Sequence, residues 1–270
     1  MTTSTVRPAL AGLAPIGLSE LTDVAGLQVR VARKYAVPLS ALGGLLGAVR
    51  PDTRVLEIDG CRSFRYDSVY FDTPELISYR LAAFRRRRRF KIRTRTYLDS
   101  ATCWLEVKTE GARGGTVKQR CPYRVDQRAT IAPGRRFVDA MLAPLGVAGD
   151  AGLTFVPTLV TRYRRTTLYL PASGSRVTVD VDLAWEAAGR RLSTPELAVI
   201  ETKTGSGPSQ VDRLLWACGH RPIRISKYAT GLAALRPDLP AAPWRRTLRR
   251  HFAVAGRPVA STRNSWLTAG

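Results

Sequence analysis

A strand that alternates cation with apolar group can bury only one of its faces, and residues 85–108, RRRRRFKIRTRTYLDSATCWLEVK, carry that constraint. After the run Arg85–Arg89, an extended segment puts Lys91, Arg93 and Arg95 on one side and Phe90, Ile92, Thr94 and Thr96 on the other, because strand side chains alternate with a period of two. A turn at Asp99-Ser100 leads into a second strand, in which Trp104, Glu106 and Lys108 oppose Leu105 and Val107. The expectation is a hairpin with a cationic face. A lone basic strand is most often a solvated face. What points elsewhere is recurrence.

The same pattern returns along the chain. Val29–Tyr35 places Arg30, Ala32 and Lys34 together, and Tyr66–Asp72 is a strand rich in aromatics. Beyond a flexible turn at Gly111–Gly115, Lys118 and Arg120 share a strand face. Leu159–Leu170 groups Tyr163 with Arg165, and Arg176–Leu183 sets Arg176, Thr178, Asp180 and Asp182 against Val177, Val179, Val181 and Leu183. Leu197–Lys203 groups Val199, Glu201 and Lys203. Between these strands the spacing predicts short helices at Leu39–Val49, Glu75–Phe84, Arg135–Leu145, Pro208–Cys218 and Lys227–Leu235. Residues 1–26 read as a flexible arm, 27–236 as one domain and 237–270, rich in Pro, Arg and Ala, as a basic tail. There is no repeat of fixed period.

About eight strands with inserted helices make the class α+β. In an open sandwich the charged faces would meet solvent. In a closed antiparallel barrel the apolar residues pack outward against helices and the charged face lines a lumen. A lumen holding Lys34, Lys91, Arg93, Arg95, Lys108, Arg165 and Lys203 repels itself unless anions fill it. Glu106, Asp180, Asp182 and Glu201 offset part of that charge and suit a divalent cation. The chain as a whole has 43 Lys and Arg against 21 Asp and Glu, a net charge of +22, which draws in polyanions without choosing among them.

Cys61, Cys103, Cys121 and Cys218 are far apart in sequence and form no C-x-x-C pair, so they read as reduced thiols of a cytoplasmic protein. His220 and His251 are too few and too scattered for a histidine metal site. No stretch approaches the apolar length of a membrane span, and the first residues lack an export pattern.

The succession RKY (Arg33–Tyr35), DSVYFDTPE (Asp67–Glu75), KIRTR (Lys91–Arg95), WLEVK (Trp104–Lys108), YRRTTLYLP (Tyr163–Pro171), VTVDVDL (Val177–Leu183), VIETK (Val199–Lys203) and ISKYA (Ile225–Ala229) resembles the VTC domain. That is the polyphosphate polymerase domain of the triphosphate tunnel metalloenzyme, or CYTH-like, superfamily. The resemblance implies an eight-stranded antiparallel β-barrel with helices packed outside. It also implies transfer of the γ-phosphate of ATP to a growing polyphosphate with Mn²⁺ or Mg²⁺. Carried over by motif, Arg93, Arg95, Lys108 and Arg165 are the catalytic cations. Lys34, Lys91, Tyr163, Lys203, Ser226 and Lys227 are the phosphate-binding residues, and Glu201 is the metal ligand. One departure is Ala32, where the family commonly has a glutamate; the loss of that carboxylate argues against a second metal and against efficient hydrolysis.

Phosphoryl transfer needs positioning and charge neutralisation. Arginine provides a bidentate fork for phosphate oxygens and lysine a point charge, while a carboxylate holds a hard cation. The expected partners are ATP and polyphosphate or another triphosphate, with a membrane-associated partner reached through the basic tail. Nucleic acid is not expected, because the basic faces are short of interleaved aromatics for stacking. Trp104 reads either as a stacking platform for a nucleobase or as the closure of a barrel end. The rival readings are a metal-dependent triphosphatase of the same fold and a polyanion-binding module without turnover.

Overall fold

The computed structural model describes residues 8–25, 31–110, 116–146, 152–205, 207–252 and 259–260. Arg30 and the turn at Gly111–Gly115 lie outside the described residues. The strands are β1 (Ala14–Ile16), β2 (Val31–Pro38), β3 (Arg54–Leu56), β4 (Phe64–Asp72), β5 (Phe90–Tyr97), β6 (Thr102–Glu110), β7 (Thr116–Tyr123), β8 (Val156–Leu170), β9 (Ser175–Ala187), β10 (Arg190–Thr194), β11 (Leu197–Thr204) and β12 (Val259–Ala260). The helices are α1 (Leu18–Ala25), α2 (Leu39–Gly47), α3 (Ile77–Ala83), α4 (Arg135–Leu142), α5 (Gln210–Ala217), α6 (Lys227–Leu235) and α7 (Arg245–His251). The class is α+β, with strands paired antiparallel and helices beside them, and β1 with β3 is a short parallel exception.

The chain divides into two compact units. The first holds residues 1–65, 163–183 and 193–225. In it β11 pairs antiparallel with β2, from Leu197 opposite Pro38 to Thr204 opposite Val31, and on its other side with β9. The alternation read from the sequence decides which face is buried. Tyr35, Val37, Val177, Val179, Ala198 and Ile200 pack with Leu42, Leu46, Val211 and Leu215 from α2 and α5 into one apolar cluster. Each fully buried aliphatic side chain contributes roughly 1.5–3 kcal/mol. A buried carboxylate pins the arrangement: Asp212 accepts from Tyr35 Oη at 2.6 Å, Thr202 Oγ1 at 2.7 Å and Ser209 N at 2.7 Å. Burial raises its pKa, but these donors outweigh burial and hold it below its ordinary value.

The second unit holds residues 66–162, 184–192 and 226–270. Here β4, β5, β6 and β7 form a continuous antiparallel meander. Val69, Phe71, Phe90, Ile92, Leu105 and Val107 turn to one side and meet Ile131, Val138 and Leu142 of α4 and its approach. The helix comes close because of Gly134, where an added Cβ would stand 2.3 Å from Leu105 Cδ2. Buried Asp72 ends β4 and accepts the N–H groups of Ser78 and Tyr79, both at 2.8 Å, at the start of α3. The Tyr228 hydroxyl also donates to Asp72, which ties α6 to the same point.

One alternation departs from the reading. Asp182 has φ +53, a left-handed conformation that interrupts the face pattern of β9. Asp180 pairs with Arg165, whereas the Asp182 carboxylate lies 3.7 Å from Arg164. Arg164 and Arg165 are consecutive on β8 and so point to opposite faces. Asp182 therefore does not share the face of Asp180.

Candidate functional site

In the second unit the cross-strand register sorts the cations into rows. Lys91 stands opposite Lys108, and Lys108 opposite Lys118. The next row runs Tyr70, Arg93, Glu106, Arg120, and the one after it Ser68, Arg95, Trp104, Pro122. All of these lie on the face away from the apolar cluster, as the alternation requires. Lys91, Arg93, Arg95 and Lys108 are thereby brought together.

Glu106 is the anionic centre of that face. It is 2% exposed, with Arg93 Nη2 at 2.6 Å from one oxygen and Lys118 Nζ at 2.6 Å from the other. Burial raises its pKa, but the positive charge of Arg93, then Arg95 and Lys118, wins and keeps it ionised well below the usual carboxylate range. Withdrawal from water pushes Lys118 down to about 8, against the pull of Glu106. Burial likewise raises the Tyr70 phenol, yet Arg93 and Arg95 outweigh it and leave Tyr70 below its ordinary value; Arg93 donates to Tyr70 Oη at 2.8 Å.

Arg95 differs from Arg93. It lies over the Tyr66 ring at 5.5 Å and is 8% exposed. Its Nε has no hydrogen-bond partner among the described residues, and neither has the Oγ of Ser68, directly opposite and 1% exposed. Two buried donors aimed at one face are costly without an acceptor. An oxyanion there would satisfy both.

Ser226 and Lys227 open α6. The Ser226 hydroxyl accepts the Ala229 N–H at 3.2 Å as a helix cap. It also accepts from Lys91 Nζ at 3.1 Å, so the ends of β5 and α6 are coupled. Trp104 carries Arg120 over its ring at 4.4 Å, so one of its faces is already occupied by a guanidinium.

In the first unit Lys34 stands opposite Glu201, and Glu201 opposite Thr178. Lys203 lies between Ala32 and Arg176 in the adjacent row. Arg165 grips Asp180 with two bonds, at 2.6 and 2.8 Å, and its guanidinium lies 5.3 Å from the centre of the Tyr163 ring. Lys34, Glu201, Lys203, Arg165 and Tyr163 are thus gathered on one side of this unit's strands. Arg165 is held by a carboxylate rather than repelled by neighbours. The Oγ1 of Thr178, 6% exposed, has no hydrogen-bond partner among the described residues. Among the described residues no group of three or more His, Cys, Asp or Glu could hold a metal ion, and no helix is long and apolar enough to cross a membrane.

Sequence reading placed Lys118 on a strand face but missed it as a site residue, and it missed Ser68 and Thr178. Lys118 sits two positions from Arg120 on an alternating strand, which was signal enough. Alternation put Thr178 on the charged face of its strand but could not show that it stands opposite Glu201, and for Ser68 only the register reveals that it stands opposite Arg95.

The family model described as the VTC domain matches residues 29–144 and 150–236. No curated protein matches the chain. Among solved structures, a Hippeastrum protein described as a candidate adenylyl cyclase with dominant triphosphatase activity is 19% identical, with 74% of this chain and 94% of that one covered at a TM-score of 0.46. A candidate adenylate cyclase from Bacillus halodurans is 12% identical, covering 89% of this chain and 98% of its own at 0.42. One from Vibrio parahaemolyticus is 11% identical, with 71% and 87% covered at 0.39.

Proposed function

Because the chain belongs to the VTC domain family, we propose that it is a polyphosphate polymerase, transferring the γ-phosphate of ATP to a growing polyphosphate with Mn²⁺ or Mg²⁺. The observation that carries this reading is the pair of unsatisfied, buried donors Ser68 and Arg95 on a face lined by Arg93, Lys91 and Lys108. A face of that composition is built for phosphate oxygens.

In the proposed step an oxygen of the acceptor's terminal phosphate attacks the γ-phosphorus. The bond from γ-phosphorus to the bridging oxygen breaks, and that oxygen leaves with its electron pair on ADP. No protein nucleophile is needed, so the protein positions and neutralises. Arg93 and Arg95 take equatorial oxygens as planar forks, with Lys108 adding charge. Lys91, Ser226 and Lys227 hold phosphate at the start of α6. On the first unit Arg165 serves as a cation fixed by Asp180, and Lys34, Lys203 and Tyr163 bind phosphate. Glu201 would hold the divalent cation. A single carboxylate suits Mg²⁺ or Mn²⁺ that takes its other ligands from water and substrate phosphates, and the unpartnered Thr178 hydroxyl opposite Glu201 fits a polar occupant. When bound, such a cation neutralises phosphate charge and templates the substrate.

Ala32, opposite Lys203, leaves that row without a carboxylate, which supports transfer over hydrolysis. The test is purified protein incubated with ATP and Mn²⁺, with products resolved by length on a gel. Long polymer is expected. Free phosphate alone would make the chain a triphosphatase, and no product with retained polyphosphate binding would make it a binder.

A further inference from the structure

The run Arg85–Arg89 is divided by its contacts. Arg88 donates to Gly146 O at 3.2 Å and Arg89 pairs with Glu110 at 2.8 Å. Arg85, Arg86 and Arg87 are exposed and make no ion pair or side-chain hydrogen bond among the described residues. The backbone of Arg85 and Arg86 is nevertheless fixed. Arg85 takes φ +54 after α3, Arg85 N bonds Ala82 O at 3.2 Å and Arg86 N bonds Leu81 O at 2.8 Å. This is a helix stop in which a left-handed residue returns the following N–H groups to the last turn. Arginine in place of the usual glycine adds strain there.

The run feeds directly into β5, and the first cationic row it meets is Lys91, Lys108, Lys118. That row sets three lysines side by side on β5, β6 and β7, with Lys118 reaching to Glu106 of the next row and Lys91 donating to Ser226. Like charges set opposite one another destabilise a sheet, and a polyanion laid across them removes the cost. Along the sequence the cations therefore run from the three exposed arginines through Lys91 to Arg93 and Arg95.

We propose that Arg85, Arg86 and Arg87 form an outer binding segment for the distal part of a polyphosphate chain whose end occupies the cationic face of β5 and β6. This inference rests on the reading of that face as a phosphate site. The segment adds affinity only for chains long enough to reach it, because linked contacts raise affinity through effective concentration. Phe84, next to the run and 54% exposed, is an apolar group of the kind a membrane surface would use, so anionic vesicles form the second arm of the test.

The experiment measures the affinity of the full chain for tripolyphosphate and for long-chain polyphosphate at fixed salt. The variants are R85Q/R86Q/R87Q and, with the same charge removed from α7, R246Q/R249Q/R250Q. The first variant should lose about tenfold of the gain that long chains have over tripolyphosphate, with tripolyphosphate affinity within about twofold of wild type. The α7 variant should keep the gain. The proposal is overturned if the first variant retains the gain, or if both variants lose it equally through net charge alone. It is also overturned if the run is needed for vesicles of anionic lipid and not for polyphosphate. If wild-type protein ignores tripolyphosphate while long-chain binding still depends on the run, the outer segment stands and the reading of the inner face falls.

Discussion

Lys118 holds one oxygen of Glu106 at 2.6 Å, and Arg93 reaches the other from the opposite neighbouring strand. The one carboxylate of its row is thus shared by cations of β5 and β7. This separates two arginines that the sequence makes look equivalent. Arg93→Ala removes half of the neutralisation of a buried carboxylate and should lower stability by about 1–3 kcal/mol. Arg95→Ala removes a cation that makes no ion pair among the described residues and acts on Glu106 only through its field. It should change stability by less than about 1 kcal/mol, since the lost packing and field are opposed by relief of repulsion from the neighbouring cations. Thermal melts without ligand decide this. Equal destabilisation by both would refute the proposed division of labour, while both variants should lose turnover.

Lys118 gives a pH signature. Its pKa is pushed down to about 8 from 10.5. Below about pH 8 it is protonated and adds to the field that binds phosphate; above, it is neutral. Tripolyphosphate affinity should therefore fall as pH rises through about 8, and the step should vanish in Lys118→Met. Stability moves the other way. Between about 8 and 10.5 the unfolded chain binds the extra proton, so this group makes the fold more stable as pH rises there. An affinity profile as steep in Lys118→Met as in wild type would remove Lys118 from the site.

Much of this arrangement was legible. Period-two alternation placed Lys91, Arg93 and Arg95 opposite Phe90, Ile92 and Thr94, and the same rule sorted β9 and β11. What alternation cannot supply is register, which depends on tertiary pairing. It therefore left unseen that Asp180 belongs to Arg165, that Glu106 bridges two cations, and that Ser68 faces Arg95. The break at Asp182 was invisible for a related reason. A non-glycine residue at φ +53 leaves no mark in composition, and reading on in steps of two carries the error along. Short pairings such as β1 with β3 are too brief to show a period at all.

Glycine substitutions test the packing of α4. An Ala at Gly134 would drive its Cβ to 2.3 Å from Leu105 Cδ2 and 3.0 Å from Tyr123. Leu105 is fully buried, so it cannot simply swing aside, and overpacking of this kind costs about 1–3 kcal/mol. Gly44 is the control: it sits inside α2 with nothing within 4 Å of an added Cβ. Gly44→Ala should stabilise by up to about 1 kcal/mol through helix propensity. Denaturant melts should give opposite signs, and a neutral Gly134→Ala would show that α4 can back away from the sheet.

Glu201 separates an enzyme from a binder. It stands between Lys34 and Thr178 in the register, on strands whose other nearby acid, Asp180, is taken up by Arg165. If Glu201 only balances charge, Glu201→Gln should shift the melting temperature, and added Mn²⁺ or Mg²⁺ should change nothing in wild type or variant. If it holds a cation, the amide keeps the shape but loses the charge that a hard ion requires. Tripolyphosphate without metal should then bind within a few fold of wild type, since the arginines and lysines remain. The further stabilisation that Mn²⁺ gives the phosphate-bound protein, RT ln(1 + [L]/Kd) for a ligand of the native state, should be present in wild type and absent in the variant, and turnover should collapse at every metal concentration. A Glu201→Gln protein that keeps both the metal-dependent stabilisation and the product ladder would place the cation elsewhere and leave Glu201 as a counter-charge to Lys34.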